Sequence, residues 1–138
     1  AINDVMNAFG VYWDNRNIEG FISLFTEDGY LILPQTDGSD IQFSREKLKE
    51  IGNNRFKEVE SSGLQQRHFA TNTHFIEQTQ DSAHIEQYIL LATVHQKESL
   101  SINASMIYDV WLKKVEGIWK ISKYIVKSDV NMDLPKNE

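Results

Sequence analysis

The chain has 138 residues, which suits one domain large enough to bury a hydrophobic core. Hydrophobic residues make up 41% and charged residues 25%, and the formal net charge is −6, with Lys and Arg spread thinly. These values exclude a disordered chain and a concentrated basic surface for nucleic acid. The chain contains no cysteine, which excludes disulfides, a thiolate nucleophile and cysteine-ligated zinc.

The apolar segments of the sequence are short. The longest, residues 88–94, cannot cross a bilayer, so we predict no membrane association. Residues 1–9 carry no basic side chain and do not resemble a secretory signal. We therefore predict a cytoplasmic location.

The first quarter of the chain has helical periodicity. Apolar residues recur at spacings of three and four over residues 5–13 and again over 18–25, which predicts two helices with one apolar face each. The polar segment 14–17 predicts a turn between them, with Asn17 as the N-cap of the second helix. We expect that helix to end at 27–29, with Gly29 as a left-handed C-cap.

A short strand and a third helix follow. Residues 30–33 are apolar and predict a strand that ends at Pro34, followed by a turn-rich loop at 35–40. Ser44 is suited to cap a third helix, in which Leu48, Ile51 and Phe56 have nearly helical spacing.

The second half of the chain changes to an alternating pattern. Residues 68–79, 83–96, 102–115 and 118–126 predict four long strands, and the short turns between them predict antiparallel neighbours. The whole pattern predicts an α+β fold in which three N-terminal helices cover one face of a curved antiparallel sheet and leave a concave interior for a ligand. We predict one domain at 1–131 and a flexible polar tail at 132–138.

Three segments sharpen this prediction into a resemblance. They are residues 12–14 with 17–21 and 24–29, the His-x-x-x-Asn segment at 67–72, and the hairpin formed by 108–111 and 117–121. Their order and spacing resemble the SnoaL-like branch of the nuclear transport factor 2-like superfamily along nearly the whole chain. The resemblance implies a cone-shaped fold around one small-molecule pocket. The family includes polyketide cyclases, scytalone dehydratase, bile-acid dehydratase and non-catalytic binding modules.

The resemblance also implies a candidate pair of catalytic residues. Dehydratase-type members use an Asp on the first helix pair and a His on the sheet as paired acid and base, and Asp14 and His68 occupy the matching positions. Steroid isomerases of this fold use an Asp on the first strand, but residues 30–34 contain no acid, which argues against that chemistry. The Arg-plus-two-Asp set of limonene epoxide hydrolases is not evident either.

An Asp–His pair can move protons near neutral pH without a metal or a cofactor. The sequence has no Gly-rich phosphate loop and no Gly-x-Ser-x-Gly segment, so we predict that no cofactor is used. His84 and His95 are expected on opposite strand faces, which argues against a three-His metal site with His68. From the residues alone, the better reading of His68 is a partly buried, hydrogen-bonded strand residue, and the better reading of Asp14 is a helix-end residue.

Four further residues are candidates for substrate binding. Strand alternation predicts that His68, Asn72 and His74 share one face and line the pocket. Tyr12 is either a core residue or a hydroxyl donor that polarises a substrate carbonyl. Tyr108 shares a strand face with Met106 and Val110 and is either a core aromatic or part of the pocket lining that positions the substrate. Tyr108 is expected to face the interior.

The resemblance and these residues together predict dehydration, isomerisation or cyclisation of a small polycyclic, aromatic or terpenoid-like substrate in a hydrophobic pocket. The expected partners are therefore a small hydrophobic or aromatic ligand and a second copy of the chain. Asp109 and Trp111 are predicted on the outer sheet face, where a homodimer would form. The alternative is a non-catalytic ligand-binding or dimerisation module of the same fold.

Overall fold

The computed structural model describes residues 1–134, in which three helices lie against a curved, unclosed sheet of six strands. The elements are α1 (Ile2–Asp14), α2 (Ile18–Ser23), β1 (Phe25–Pro34), β2 (Asp40–Ser44), α3 (Arg45–Ser61), β3 (Leu64–Gln78), β4 (Ser82–His95), β5 (Ser99–Val115) and β6 (Ile118–Ser128). The predicted α+β class is confirmed. None of these helices is both long and apolar enough to span a membrane.

The sheet has the strand order β2-β1-β6-β5-β4-β3. β3 to β6 form the predicted antiparallel meander, whereas β1 pairs with β6 in parallel. β3 is therefore an edge strand, and α1 packs closely against it. This arrangement brings the first helix and the first strand of the meander together, although about fifty residues separate them in the sequence.

Two predicted helix caps are confirmed. The side chain of Asn17 accepts a hydrogen bond from the backbone N–H of Gly20 at 2.9 Å. The Ser44 hydroxyl likewise accepts from the N–H of Lys47 at 3.2 Å. Each cap satisfies an N–H group that has no partner within its own helix.

The end of α2 differs from the prediction. α2 ends at Ser23, and residues 25–29 belong to β1, so the predicted C-cap at Gly29 is wrong. The helical spacing of Phe25 was misleading, because its side chain is buried in the sheet. Gly29 instead serves a close approach between strands, since a Cβ there would come within 2.8 Å of the Ile121 carbonyl oxygen. The short strand β2, which begins at the last residue of the predicted loop, was not predicted.

Aromatic side chains fix α1 to the concave face of the sheet. The Phe9 ring stacks on Tyr124 with 4.3 Å between ring centroids, and it contacts the edge of Tyr108 at 5.6 Å. Trp13 contacts Phe56 of α3 at 4.8 Å. These contacts bury the apolar face of α1 and thereby set the position of its last residue, Asp14.

The beginning of the predicted tail contacts the loop between β1 and β2. The backbone N–H of Thr36 donates to the Asp133 carboxylate at 2.8 Å, and the N–H of Leu134 donates to the Gln35 side chain at 3.0 Å. Residues 135–138 lie outside the described residues. The domain boundary at 131 and the flexibility of the tail stay predictions.

Candidate functional site

Asp14 and His68 meet directly. The Nδ1 atom of His68 lies 2.6 Å from Oδ1 of Asp14, and the backbone N–H of His68 donates to Oδ2 at 2.8 Å. The side chain of Asp14 is only 7% exposed and that of His68 only 11%. Since an ionised carboxylate can only accept, Nδ1 is the donor in this contact, and in the neutral imidazole the lone pair is then on Nε2. Among residues 1–134 no group forms a hydrogen bond with Nε2.

Contacts at the end of α1 hold this pair in place. The Gln65 side chain donates to the Asp14 carbonyl oxygen at 3.0 Å, and Arg16 donates to the Leu64 carbonyl at 3.2 Å. Gly10 lies one helical turn before Asp14, where an added Cβ would be 3.1 Å from the Cβ of His68. Glycine at this position therefore allows the helix and the strand to approach closely enough for the carboxylate to reach the imidazole.

A cavity of about 190 Å³ lies beside His68. It is lined by residues of α1, β3, β4 and β5, namely Met6, Asn7, Gly10, Val11, His68, Ala70, Ile89 and Tyr108. Most of these side chains are apolar, which suits a hydrophobic ligand. Asn7 and Val11 are exposed, so the cavity reaches solvent past them.

Tyr108 supplies a second polar group to this cavity. Its side chain faces inward, as predicted, and is buried. Burial raises the pKa of Tyr108 well above its usual value, and the nearby negative charge of Asp14 raises it further. The hydroxyl therefore keeps its proton at neutral pH and is suited to donate a hydrogen bond to a ligand oxygen.

The prediction that His68, Asn72 and His74 share a strand face is wrong. β3 carries an extra residue at Asn72, whose φ is +49°, and the pairing with β4 shifts there. After this bulge Thr73 points inward and accepts a hydrogen bond from Gln87 at 2.9 Å. His74 consequently lies on the opposite face from His68, because one inserted residue reverses the alternation of a strand.

Asn72 and His74 instead line a separate, open depression of about 330 Å³, together with Thr73, Glu86 and Tyr88. The structure therefore does not bring these two candidates to the Asp14–His68 pair. Tyr12 is not brought there either. It is half-buried against the core, and it does not line the cavity.

A second Asp–His pair occupies the outer sheet face. Nε2 of His84 lies 2.6 Å from Oδ1 of Asp109, and the Lys127 ammonium donates to Oδ2 at 2.9 Å. The His84 ring stacks on Trp111 with 4.1 Å between centroids. Burial alone would raise the pKa of Asp109, but the hydrogen bonds and charges of Lys127 and His84 outweigh it and lower that pKa. None of these four residues lines either of the two cavities described above.

Sequence reasoning placed Asp109 and Trp111 on this face but missed the His84–Asp109 contact, which depends on the register between β4 and β5. It also missed Asn7 and Gly10. The four-residue spacing between Gly10 and Asp14 was the available signal, since it places both on one helix face. Within residues 1–134 no group of three or more His, Asp or Glu side chains is arranged to hold a metal ion.

The arrangement of helices on a curved sheet defines a nuclear transport factor 2-like, cone-shaped fold. Residues 1–125 match the family model of the SnoaL-like domain, and the chain belongs to that family. A search of curated proteins gives no match.

Several solved structures share the fold. ActVI-ORFA from Streptomyces coelicolor has a TM-score of 0.78 at 18% identity, covering 93% of this chain and 94% of that one. A protein of unknown function from Mycobacterium tuberculosis has a TM-score of 0.78 at 22% identity, covering 95% and 71%. A putative scytalone dehydratase from Novosphingobium aromaticivorans has a TM-score of 0.73 at 19% identity, covering 99% and 87%. At these identities the similarity establishes the fold alone.

Proposed function

We propose that this protein is a cofactor-free dehydratase, isomerase or cyclase that acts on a hydrophobic cyclic substrate. His68 is the general base and acid, and Asp14 orients its ring and stabilises its protonated form. Tyr108 polarises the substrate oxygen. The observation that carries the proposal is the 2.6 Å contact between His68 and Asp14 beside an apolar cavity. The lack of a cofactor and the cytoplasmic location stay predictions from the sequence.

In a dehydration, the Nε2 atom of His68 removes a proton from the carbon next to a carbonyl group. The electron pair of the broken C–H bond forms an enolate, whose oxygen accepts a hydrogen bond from Tyr108. The C–O bond of a β-hydroxyl then breaks as the carbon–carbon double bond forms. The imidazolium returns its proton to the leaving hydroxyl, which departs as water, while Asp14 stabilises the transient positive charge. Isomerisation and ring closure would begin with the same proton abstraction.

Two comparisons support this chemistry over a purely structural role. The His84–Asp109 pair has the same 2.6 Å contact but lines neither cavity, whereas His68 forms part of a cavity wall. His68 therefore borders a space that a substrate can occupy, and no group among residues 1–134 forms a hydrogen bond with its Nε2. In addition, one structure with the same fold is described as a putative scytalone dehydratase, a name that fits acid–base chemistry of this kind.

Proton abstraction is measurable before the substrate is known. Cyclic ketones and β-hydroxyketones are incubated with the protein in D₂O, and ¹H NMR follows deuterium exchange at the carbon next to the carbonyl. We expect the wild-type protein to accelerate exchange, and His68→Gln to lower the rate by about 10²–10⁴-fold, the usual contribution of a positioned acid or base. Asp14→Asn should lower it as well.

The outer pair offers a matched control. His84→Gln removes an imidazole that also contacts an aspartate at 2.6 Å, through Nε2 rather than Nδ1, but lies away from the cavity, so exchange should continue at the wild-type rate. Full activity in both His68→Gln and Asp14→Asn would overturn the assignment. A wild-type protein that binds these ketones without exchanging or dehydrating any of them would favour the alternative, a non-catalytic binding module.

We also propose that two copies associate through the outer sheet face. Large apolar side chains are exposed there to between 45% and 71%, a stripe formed by Phe69, Tyr88, Leu90, Leu100 and Ile102. The strand pairing places Phe69 opposite Leu90, and Ile102 opposite Ala92, so the stripe crosses neighbouring strands. Exposed apolar stripes of this kind usually mark interaction surfaces.

Light scattering after gel filtration tests the homodimer. The wild-type protein should have twice the mass of one chain, and the double variant Leu90→Lys/Ile102→Lys should be monomeric. Ile118→Lys is the control, because Ile118 is similarly exposed but lies at the β5–β6 turn. A monomeric wild-type protein, or a double variant that stays dimeric, would contradict this surface.

A further inference from the structure

We propose that the cavity beside His68 admits a substrate with a single ring, and that the Asp14–His68 contact itself sets this upper limit on size. We further propose that Asn7 at the cavity mouth recognises a polar substituent on the far side of that ring. The inference rests on the proposed function for the chemistry, but it concerns which ligands bind, and binding is measurable without turnover.

The cavity volume is the first argument. An apolar protein cavity of about 150 Å³ takes a benzene ring, and pockets for drug-sized ligands run from about 300 to 1,000 Å³. The cavity measures about 190 Å³, only modestly more than a single ring needs. One ring with small substituents fills it, whereas three fused rings exceed it.

The cavity walls cannot separate without a cost to the site. α1 supplies one side of the lining, and β3, β4 and β5 supply the rest. Asp14 lies on α1 and His68 on β3, so a movement of α1 away from β3 would lengthen their 2.6 Å contact. The hydrogen bond from Gln65 to Asp14 joins the same two elements, and Phe9 fixes α1 to the sheet by its contact with Tyr108. A larger substrate would therefore disable the base that is required to act on it.

The distribution of polar groups suggests how such a ligand is oriented. His68 and Tyr108 are the polar residues in the buried part of the lining, and Asn7 is the polar residue in its exposed part. The other lining residues are apolar or glycine. A carbonyl oxygen directed at Tyr108 would place the ring against Ala70 and Ile89. A polar group across the ring would then point toward the Asn7 amide, which can both donate and accept hydrogen bonds.

Binding measurements test the size limit. Dissociation constants are measured for 2-cyclohexenone, with one ring, and for 2-anthrol, with three fused rings. We expect 2-cyclohexenone to bind at least tenfold more tightly. Ala70→Leu, which fills the cavity, should weaken cyclohexenone binding by tenfold or more, and Ala70→Val provides a smaller change if the leucine variant does not fold. Ala8→Leu is the control, because Ala8 is on α1 but does not line the cavity.

Asn7 is tested through its selectivity. Wild-type protein should bind 4-hydroxycyclohexanone more tightly than cyclohexanone, by roughly the fivefold to tenfold that one hydrogen bond supplies. Asn7→Leu should remove this preference while it leaves cyclohexanone binding in place. An unchanged preference in Asn7→Leu would overturn the role of this residue.

Two results would overturn the size limit. One is that 2-anthrol binds as tightly as 2-cyclohexenone and competes with it. The other is that neither change at Ala70 weakens cyclohexenone binding. Failure of the chemistry has a different signature: ligands would bind with the expected size dependence, but His68→Gln would leave exchange unchanged.

Discussion

Replacing Asp14 by asparagine should keep the shape of the site but move the imidazole proton of His68 from Nδ1 to Nε2. The backbone N–H of His68 can only donate, so the asparagine carbonyl oxygen will accept from it, as Oδ2 of Asp14 does at 2.8 Å. The amide NH₂ must then face Nδ1. Because two donors cannot pair, Nδ1 becomes an acceptor and the imidazole proton moves to Nε2. Nε2, the nitrogen proposed to act as the base, thereby loses the lone pair that a base requires.

The structure also sets the expected size of the effect on stability. Asp14 accepts two hydrogen bonds in a largely buried setting, and a charged acceptor contributes about 1.5–3 kcal/mol per bond against about 0.5–1.5 kcal/mol for a neutral one. Asp14→Asn exchanges two charged bonds for two neutral ones, so it should lower the free energy of unfolding by about 1–3 kcal/mol. Asp14→Ala leaves both donors of His68 without a partner and should cost about 3–5 kcal/mol.

Two measurements separate these effects. Urea unfolding followed by tryptophan fluorescence gives the free energies, and long-range ¹H–¹⁵N NMR identifies which ring nitrogen of His68 is protonated. The analogous Asp-to-Asn change in serine proteases lowers kcat by about 10⁴-fold through the same change of tautomer. The reasoning is refuted if His68 stays protonated on Nδ1 in Asp14→Asn, or if Asp14→Ala costs less than about 0.5 kcal/mol.

Three further outcomes are expected. Lys127→Met should lower the free energy of unfolding at pH 7 by about 0.5–1.5 kcal/mol, measured by urea unfolding. Folding lowers the pKa of Asp109. The loss should therefore be fully present above the pKa of Asp109 in the unfolded chain, near ~3.9, and should shrink as the pH falls through its pKa in the folded protein. Tyr108 should resist ionisation in an absorbance titration above pH ~10, because burial raises its pKa. The unfolded chain would lose this proton more readily than the folded protein, so the free energy of unfolding should fall as the pH rises past ~10, and less steeply in Tyr108→Phe. Gly10→Ala should not add the ~1 kcal/mol of stability that this change usually adds within a helix. The added Cβ would lie only 3.1 Å from the Cβ of His68, so the free energy of unfolding, measured with urea, should stay the same or fall.

Local patterns in the sequence were enough to establish most of the fold. An element that buries one face places apolar residues at the spacing of that face, as in the helical spacing over 5–13 and the strand alternation over 118–126. This spacing can be seen in the sequence without knowledge of the tertiary structure. The caps at Asn17 and Ser44 are local as well, since each side chain bonds a backbone N–H three residues ahead. The inward direction of Tyr108 followed from the same alternation.

The candidate pair was predicted differently. Nothing local in the sequence indicates that Asp14 contacts His68, because 54 residues separate them. Their assignment came from the positions that they share with dehydratase-type members of the family. The contact itself depends on how closely α1 approaches β3, and therefore on Gly10 and on the aromatic core that holds the helix.

The remaining features were decided only by the tertiary structure. The extra residue at Asn72 reverses the faces of β3 beyond it, and this shift depends on pairing with β4 rather than on any local pattern. The same is true of the His84–Asp109 contact, which lies across two paired strands. The sequence by itself determined which elements form and which residue types carry the chemistry. The long-range register and the approach of α1 decided which of those residues share a cavity, because these distances are set by packing between segments remote in the chain.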